Sequence, residues 1–192
     1  MTVMLIEADK SLFLFLNGFH SPFFDTVMWV ITSGKTWYVL YAAIAVWIGF
    51  RYKRYAPVVI VFAALSVVLS DLASVHLFKE QFCRLRPSHN PEFDELVHLI
   101  DGYKGGTYGF ISSHAANSFA IAVFTLLVLR RKWYTISILL WACLVSYSRI
   151  YVGVHYPADL AVGAIVGAGF AALMFVMMKK LMDKLRISDR NS

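Results

Sequence analysis

Ala158–Met178 reads ADLAVGAIVGAGFAALMFVMM, with a single charge, Asp159, at its second position. About 20 mostly apolar residues cross the hydrocarbon of a bilayer as a helix, so this one stretch already sets the class of fold. Working outward, four more segments have the same character: Trp133–Ser148, Ser113–Leu129, Ala56–Phe78 and Thr36–Phe50. The last is short and needs its flanking Lys35, Trp37, Tyr38, Arg51 and Tyr52 to reach the interfaces. The chain as a whole agrees. Its 192 residues are 59% apolar and only 16% charged, with a mean hydropathy of +0.62, whereas a soluble domain carries about 25% charged residues. One soluble domain of this size has too little interior for so much apolar surface. The same figures exclude disorder, collagen, coiled coil and a disulfide scaffold. The expected fold is all-α: a polytopic membrane helical bundle of about five spans, forming a single domain over residues 1–192.

Direction follows from charge. The formal net charge is +6, and the positive residues cluster in short gaps between apolar runs, which argues against nucleic acid as the partner. Arg51-Tyr52-Lys53-Arg54, Arg130-Arg131-Lys132 and the tail from Lys179 all fall on one side if the five spans are real. Cytoplasmic loops are enriched in Lys and Arg, so residues 179–192 are expected as a cytoplasmic tail and residues 36–178 as the transmembrane bundle. Residues 1–34 hold two apolar stretches, Leu5–Asn17 and Phe23–Ile31, too short or too interrupted to cross. They are expected as short helices lying in the outer interface, with no sign of a signal peptide. Cys83 and Cys143 are far apart, and Cys143 sits in an apolar run, so no disulfide is expected between them.

The outward side should be poor in positive charge, yet Lys79, Arg84, Arg86, Lys104 and Arg149 lie on it. They accompany His114, His155 and Asp159 at the ends of apolar helices, where polar groups are costly and point to function. Lys79 and Arg86 are about two helical turns apart and could share a face, although Pro87 biases Arg86 away from helix. Ser112-Ser113-His114 opens a span with an N-cap serine, and a helix N-terminus suits phosphate. His155 and Asp159, four apart, can sit together, the carboxylate fixing the imidazole tautomer. Fixed cations, a helix start and two histidines suit a tetrahedral dianion passing through five-coordinate phosphorus. His114, His155 and Asp159 as zinc ligands is the weaker reading, because three nearby cations would repel the ion; no metal and no cofactor is expected.

Asp71 is expected to hydrogen-bond a neighbouring helix, and His76 to be an interface residue. Gly163 and Gly167 permit close helix approach, within the chain or between copies. His89, His98, Glu92, Asp94 and Glu95 belong to a solvated loop, and Tyr103–Thr107 to a flexible turn at the rim of the site.

These residues resemble the membrane type-2 phosphatidic acid phosphatase superfamily, whose fold is shared with vanadium haloperoxidases. Lys79…Arg86-Pro87 matches its Lys-x6-Arg-Pro motif, and Ser148-Arg149…His155…Asp159 matches Ser-Arg-x5-His-x3-Asp. Ile111-Ser112-Ser113-His114 stands where the family has Pro-Ser-Gly-His, keeping the serine and histidine. The resemblance implies that His155 attacks phosphorus to form a phosphohistidine, with Asp159 orienting it and His114 protonating the leaving group. It implies that Lys79, Arg86, Ser112 and Arg149 hold the phosphoryl oxygens, while Ser113 either narrows the pocket or adds a hydroxyl donor. The implied protein is a metal-independent lipid phosphate phosphatase of a bacterial inner membrane, its site on the extracytoplasmic face and its partner a membrane lipid phosphate. Undecaprenyl pyrophosphate is the favoured substrate; phosphatidylglycerol phosphate, phosphatidic acid and the phosphates of lipid A are alternatives. A transporter or noncatalytic lipid-phosphate binder is the reading from another class, and it would need the cations but not both histidines.

Overall fold

In a computed structural model, residues 2–93 and 95–190 are described; Asp94 of the acidic loop lies outside them. The chain is helical almost throughout. In order come α1 (Thr2–Asn17), α2 (Pro22–Thr32), α3 (Tyr38–Tyr52), α4 (Ala56–Leu72), a short α5 (Glu80–Phe82), α6 (Ser113–Leu129), α7 (Lys132–Tyr151) and α8 (Pro157–Arg190). Between α4 and α5 the backbone widens into a π-helical segment, Ala73–Lys79. The sole β-bridge among the described residues joins Leu85 and Tyr108.

The apolar helices α3, α4, α6, α7 and α8 satisfy their backbone groups internally, the condition for life in lipid. Their outward faces are apolar. Val39 and Phe50 on α3, Val61 and Val68 on α4, Trp133 and Leu140 on α7, and Ile165 and Leu173 on α8 are all exposed. In water such a belt would drive aggregation, and in a bilayer it is the surface that meets acyl chains. Gly34–Phe82 and Pro157–Leu185 are long and apolar enough to span.

The inner scaffold is α6 against α8 and α4. Gly163 and Gly167 make that contact possible: a methyl group on Gly167 would lie 2.0 Å from the Ala116 carbonyl oxygen, and one on Gly163 would lie 2.7 Å from that of Ser112. The small-residue pair therefore serves packing within the chain. Ala115, Ala116, Ala120 and Ala122 complete the close approach from the α6 side, all fully buried. Asp71 on α4 accepts a hydrogen bond from the Asn117 amide on α6 (3.0 Å), the inter-helix role expected of it.

The N-terminal segment forms two helices, as the sequence suggests, but they are packed on the bundle. Phe13 is fully buried against Phe93 and Tyr156. The Asn17 side chain donates to the carbonyls of Ile150 and Tyr151 and accepts from the His98 backbone N–H, tying α1 to the end of α7 and to the long loop after Arg86. At the other terminus α8 continues through Lys179, so the basic tail is helical as far as Arg190. Cys83 and Cys143 are both free.

Candidate active site

The site assembles where α4–α5, α6, α7 and α8 end together. Ser112 is the N-cap of α6, its side chain accepting from the Ala115 N–H. Its own N–H donates to the Asp159 carbonyl (3.1 Å), which joins the start of α6 to the start of α8. The Gly163 and Gly167 contacts hold the two helices at that spacing further along, so the helix starts carrying His114 and Asp159 are fixed relative to one another.

Lys79 and Arg86 do not share a helical face. The helix stops at Phe82, Cys83 takes a left-handed conformation (φ 45°), and Arg86 lies in extended backbone (φ −67°, ψ 155°). Pro87 forbids helix at its predecessor, and the chain turns back instead. Arg86 donates from Nε to the Tyr108 carbonyl and from its backbone N–H to that of Thr107. The loop thus returns Arg86 to the site that Lys79 reaches from the helix end. Lys79 Nζ donates to Ser113 Oγ (2.6 Å), which also pairs with Ser74 Oγ at 2.6 Å. Ser113, standing where the family has glycine, therefore holds the lysine.

His155 precedes α8 and is 1% exposed, while Asp159 in the first turn is fully buried. Asp159 Oδ2 accepts from the Tyr156 N–H (3.0 Å) and lies 3.4 Å from His155 Nδ1. Gly109 fits between this pair and Arg86: a methyl group there would sit 2.9 Å from Arg86 Cγ and 3.5 Å from both His155 Nδ1 and Asp159 Oδ2. The imidazole and the Arg86 side chain thus both border that glycine. Burial first, then the charges of Arg86, Arg149 and Lys79, depress the pKa of His155 well below the ordinary histidine range, so the ring is neutral at physiological pH.

Arg149 is buried at the end of α7. Its Nη1 donates to Thr32 Oγ1 (2.5 Å) on α2, the Tyr103 phenol lies beside it, and its Nε is a buried donor with no partner among the described residues. An orphaned guanidinium N–H beside two further cations has the chemistry to receive an anion. His114 faces the Thr32 backbone carbonyl, with Arg149, His155 and Lys79 around it.

The structure therefore brings Lys79, Arg86, Ser112, Ser113, His114, Arg149, His155 and Asp159 to one place. It adds residues that sequence reasoning left out: Thr32, which anchors Arg149; Arg84, which pairs with Asp159; and Asp9, which pairs with Arg84. Arg84 carried a visible signal, a cation two residues before Arg86 on the face that should lack it. Asp9 and Thr32 carried none, because their partners Arg84 and Arg149 lie 75 and 117 residues away along the chain. His76 pairs with Glu80 at the surface (3.1 Å), and His98 with Asp25 (2.8 Å).

A buried imidazole–carboxylate pair set among three cations, beside a second histidine at a helix start, is the equipment of phosphoryl transfer without a nucleotide fold. Residues 59–183 match the PAP2 superfamily, and the chain belongs to that family of phosphate hydrolases. It is 40% identical over 190 residues to the lipid A 4'-phosphatase of Bacteroides thetaiotaomicron, covering 97% of this chain and 84% of that protein. It is also 40% identical over 168 residues to the lipid A 4'-phosphatase of Porphyromonas gingivalis, covering 85% and 71%. Among solved structures, LpxE of Aquifex aeolicus superposes with a TM-score of 0.62 at 26% identity, over 85% of this chain and 92% of that one.

Proposed function

We propose that this lipid phosphatase removes a phosphate group from a lipid A-type glycolipid through a phosphohistidine at His155. The convergence of Arg86, Lys79 and the unpartnered Arg149 Nε on the buried His155–Asp159 pair carries the reaction type. The substrate rests on the two relatives described above. Those relatives favour the glycolipid over undecaprenyl pyrophosphate.

Each step follows from what the residues can do. Asp159 engages Nδ1 of the neutral His155, which leaves the Nε2 lone pair to attack phosphorus. Lys79, Arg86 and Arg149 stabilise the charge on the equatorial oxygens, together with the start of α6 capped by Ser112. The P–O bond to the glycolipid breaks, and the leaving oxygen takes a proton from His114. Water then attacks the phosphohistidine, giving up a proton to His114, and inorganic phosphate leaves with the imidazole restored. The charge is supplied by side chains, so no step calls for a metal ion. A cleft of about 440 Å³ walled by Lys79, Glu80, Cys83 and Tyr108 opens beside the cationic group, and Leu77 and Phe82 of the same segment are exposed apolar residues.

The proposal includes five crossings and an extracytoplasmic site in a bacterial inner membrane, supported by the basic loops at the opposite end. The experiment is a substrate panel in detergent micelles: lipid A, undecaprenyl pyrophosphate, phosphatidylglycerol phosphate and phosphatidic acid, compared by kcat/KM for phosphate release. Lipid A should lead; a higher kcat/KM for undecaprenyl pyrophosphate would restore that substrate. For orientation, a membrane-impermeant maleimide should label exposed Cys83 in intact spheroplasts, and labelling only after lysis would invert the topology.

A further inference from the structure

We infer that Arg84 and Asp9 are positioning residues for His155: α1 reaches across the bundle and, through a two-carboxylate clamp on one guanidinium, sets the aspartate that orients the proposed nucleophile. The inference rests on the reading of His155 given above and goes beyond it, because neither residue belongs to the motifs.

Arg84 Nη1 donates to Asp159 Oδ1 (2.9 Å) and Nη2 donates to Asp9 Oδ2 (2.7 Å). The guanidinium carbon lies 4.0 Å from the centroid of the Tyr156 ring, which fixes the plane of the fork by stacking. Asp9 Oδ1 accepts from the Ala158 N–H (2.9 Å), so the same carboxylate caps the first turn of α8, where anions are favoured. Asp159 is thereby held on every side: Oδ1 by Arg84, Oδ2 by the Tyr156 N–H and His155. A fully buried carboxylate that must face one imidazole needs such restraint, since a small rotation would release Nδ1. The Tyr156 hydroxyl in turn accepts from the Asn90 amide, which fixes the ring on which Arg84 rests.

The clamp also tunes charge. The groups around His155 are Asp159 and Tyr156 on its own segment, Arg84 and Arg86 from the loop after α5, Lys79 from the helix end, His114 on α6 and Arg149 on α7. Asp159 is the negative charge favouring imidazolium, and Arg84 offsets part of it. Removing the Arg84 charge should leave Asp159 freer to stabilise the cation, so the His155 pKa should rise.

The test combines kinetics with a readout independent of substrate. In Arg84→Gln, kcat should fall roughly tenfold to a hundredfold while KM stays within about twofold, because a mispositioned nucleophile weakens the transition state more than the ground state. Arg84→Lys should recover part of kcat by keeping the charge without the fork. Asp9→Ala should lower kcat less than Arg84→Gln, and Asp9→Asn should recover only part of the loss, since an amide oxygen still caps Ala158 while the amide NH2 cannot accept from Arg84. Nitrogen-15 histidine NMR of the protein in micelles should show the His155 titration moved up by about half a unit or more in Arg84→Gln. A rise in KM with kcat unchanged would make Arg84 a substrate ligand and overturn the inference, as would an unmoved His155 titration in folded Arg84→Gln. Should His155→Ala itself keep turnover, the underlying mechanism fails instead, and the NMR shift still reports on the clamp.

Discussion

Both ends of the helical bundle are positively charged, and they treat that charge in opposite ways. At the site, Arg149 and Arg86 are 4% and 9% exposed, and they point inward to a neutral imidazole. At the other end, exposed Arg51, Arg130 and Lys179 rim a cavity of about 300 Å³ whose walls include Leu127, Phe175 and Met178. The same helix connects the two: α6 begins at the Ser112 cap and closes at Arg130 in a left-handed turn. Positive charge at a membrane surface costs little and is screened by water and salt. Buried and convergent, the same charge is costly unless an anion arrives, and it then acts in a low dielectric where its effect is largest. The contrast teaches that the signature of a phosphate site is charge with its solvation removed, not the number of cations.

The contrast can be broken most forcefully at its centre. His155→Ala should lose activity on the order of a thousandfold or more on every lipid substrate, since no other side chain supplies the nucleophile. His114→Ala should be severe with a lipid substrate and much milder with p-nitrophenyl phosphate, whose leaving group needs no acid; equal losses on both would remove His114 from that role. Next come the matched arginines. Arg149→Gln should cost about a hundredfold or more in kcat/KM, whereas Arg130→Gln at the opposite end should stay within about twofold; equal effects would erase the distinction between the ends.

Smaller effects test the frame that holds the ends in register. Gly167→Ala drives a methyl group into the Ala116 backbone and should destabilise by about 1–3 kcal/mol, seen as a lower thermal midpoint in detergent. Gly169 has open space around its Cβ position, so Gly169→Ala should be neutral or slightly stabilising. The gentlest probe is pH. Because burial and three cations depress the His155 pKa, the free enzyme keeps a neutral ring as pH falls below the ordinary histidine range, and the acidic limb of kcat/KM should lie below about pH 6.5. Arg86→Gln removes one of those charges and should move that limb upward.

Much of this was legible in the residues. Long apolar runs allow few folds, and the three motifs lie at helix ends because a buried polar group there must be functional or paid for by a partner. Spacing alone leaves open a helix face shared by Lys79 and Arg86, because it cannot show where a left-handed residue such as Cys83 ends the helix. The role of Ser113 was hidden because its partner, Lys79, lies on another helix. Asp9 read only as an interruption of an apolar stretch, since a carboxylate that caps α8 from α1 has no local pattern. The N-terminal helices were expected at the interface; that they carry Asp9 to Arg84 and Thr32 to Arg149 depends on tertiary packing, which periodicity does not encode.

The central claim is a covalent bond between phosphorus and His155. Rapid quench of the wild-type protein with a 32P-labelled lipid phosphate, under alkaline conditions that preserve phosphohistidine, followed by peptide mapping, tests it directly. Label on the peptide containing His155, absent from His155→Ala, is the predicted result. Turnover with no labelled protein at any time point, or label on His114 in its place, would contradict it.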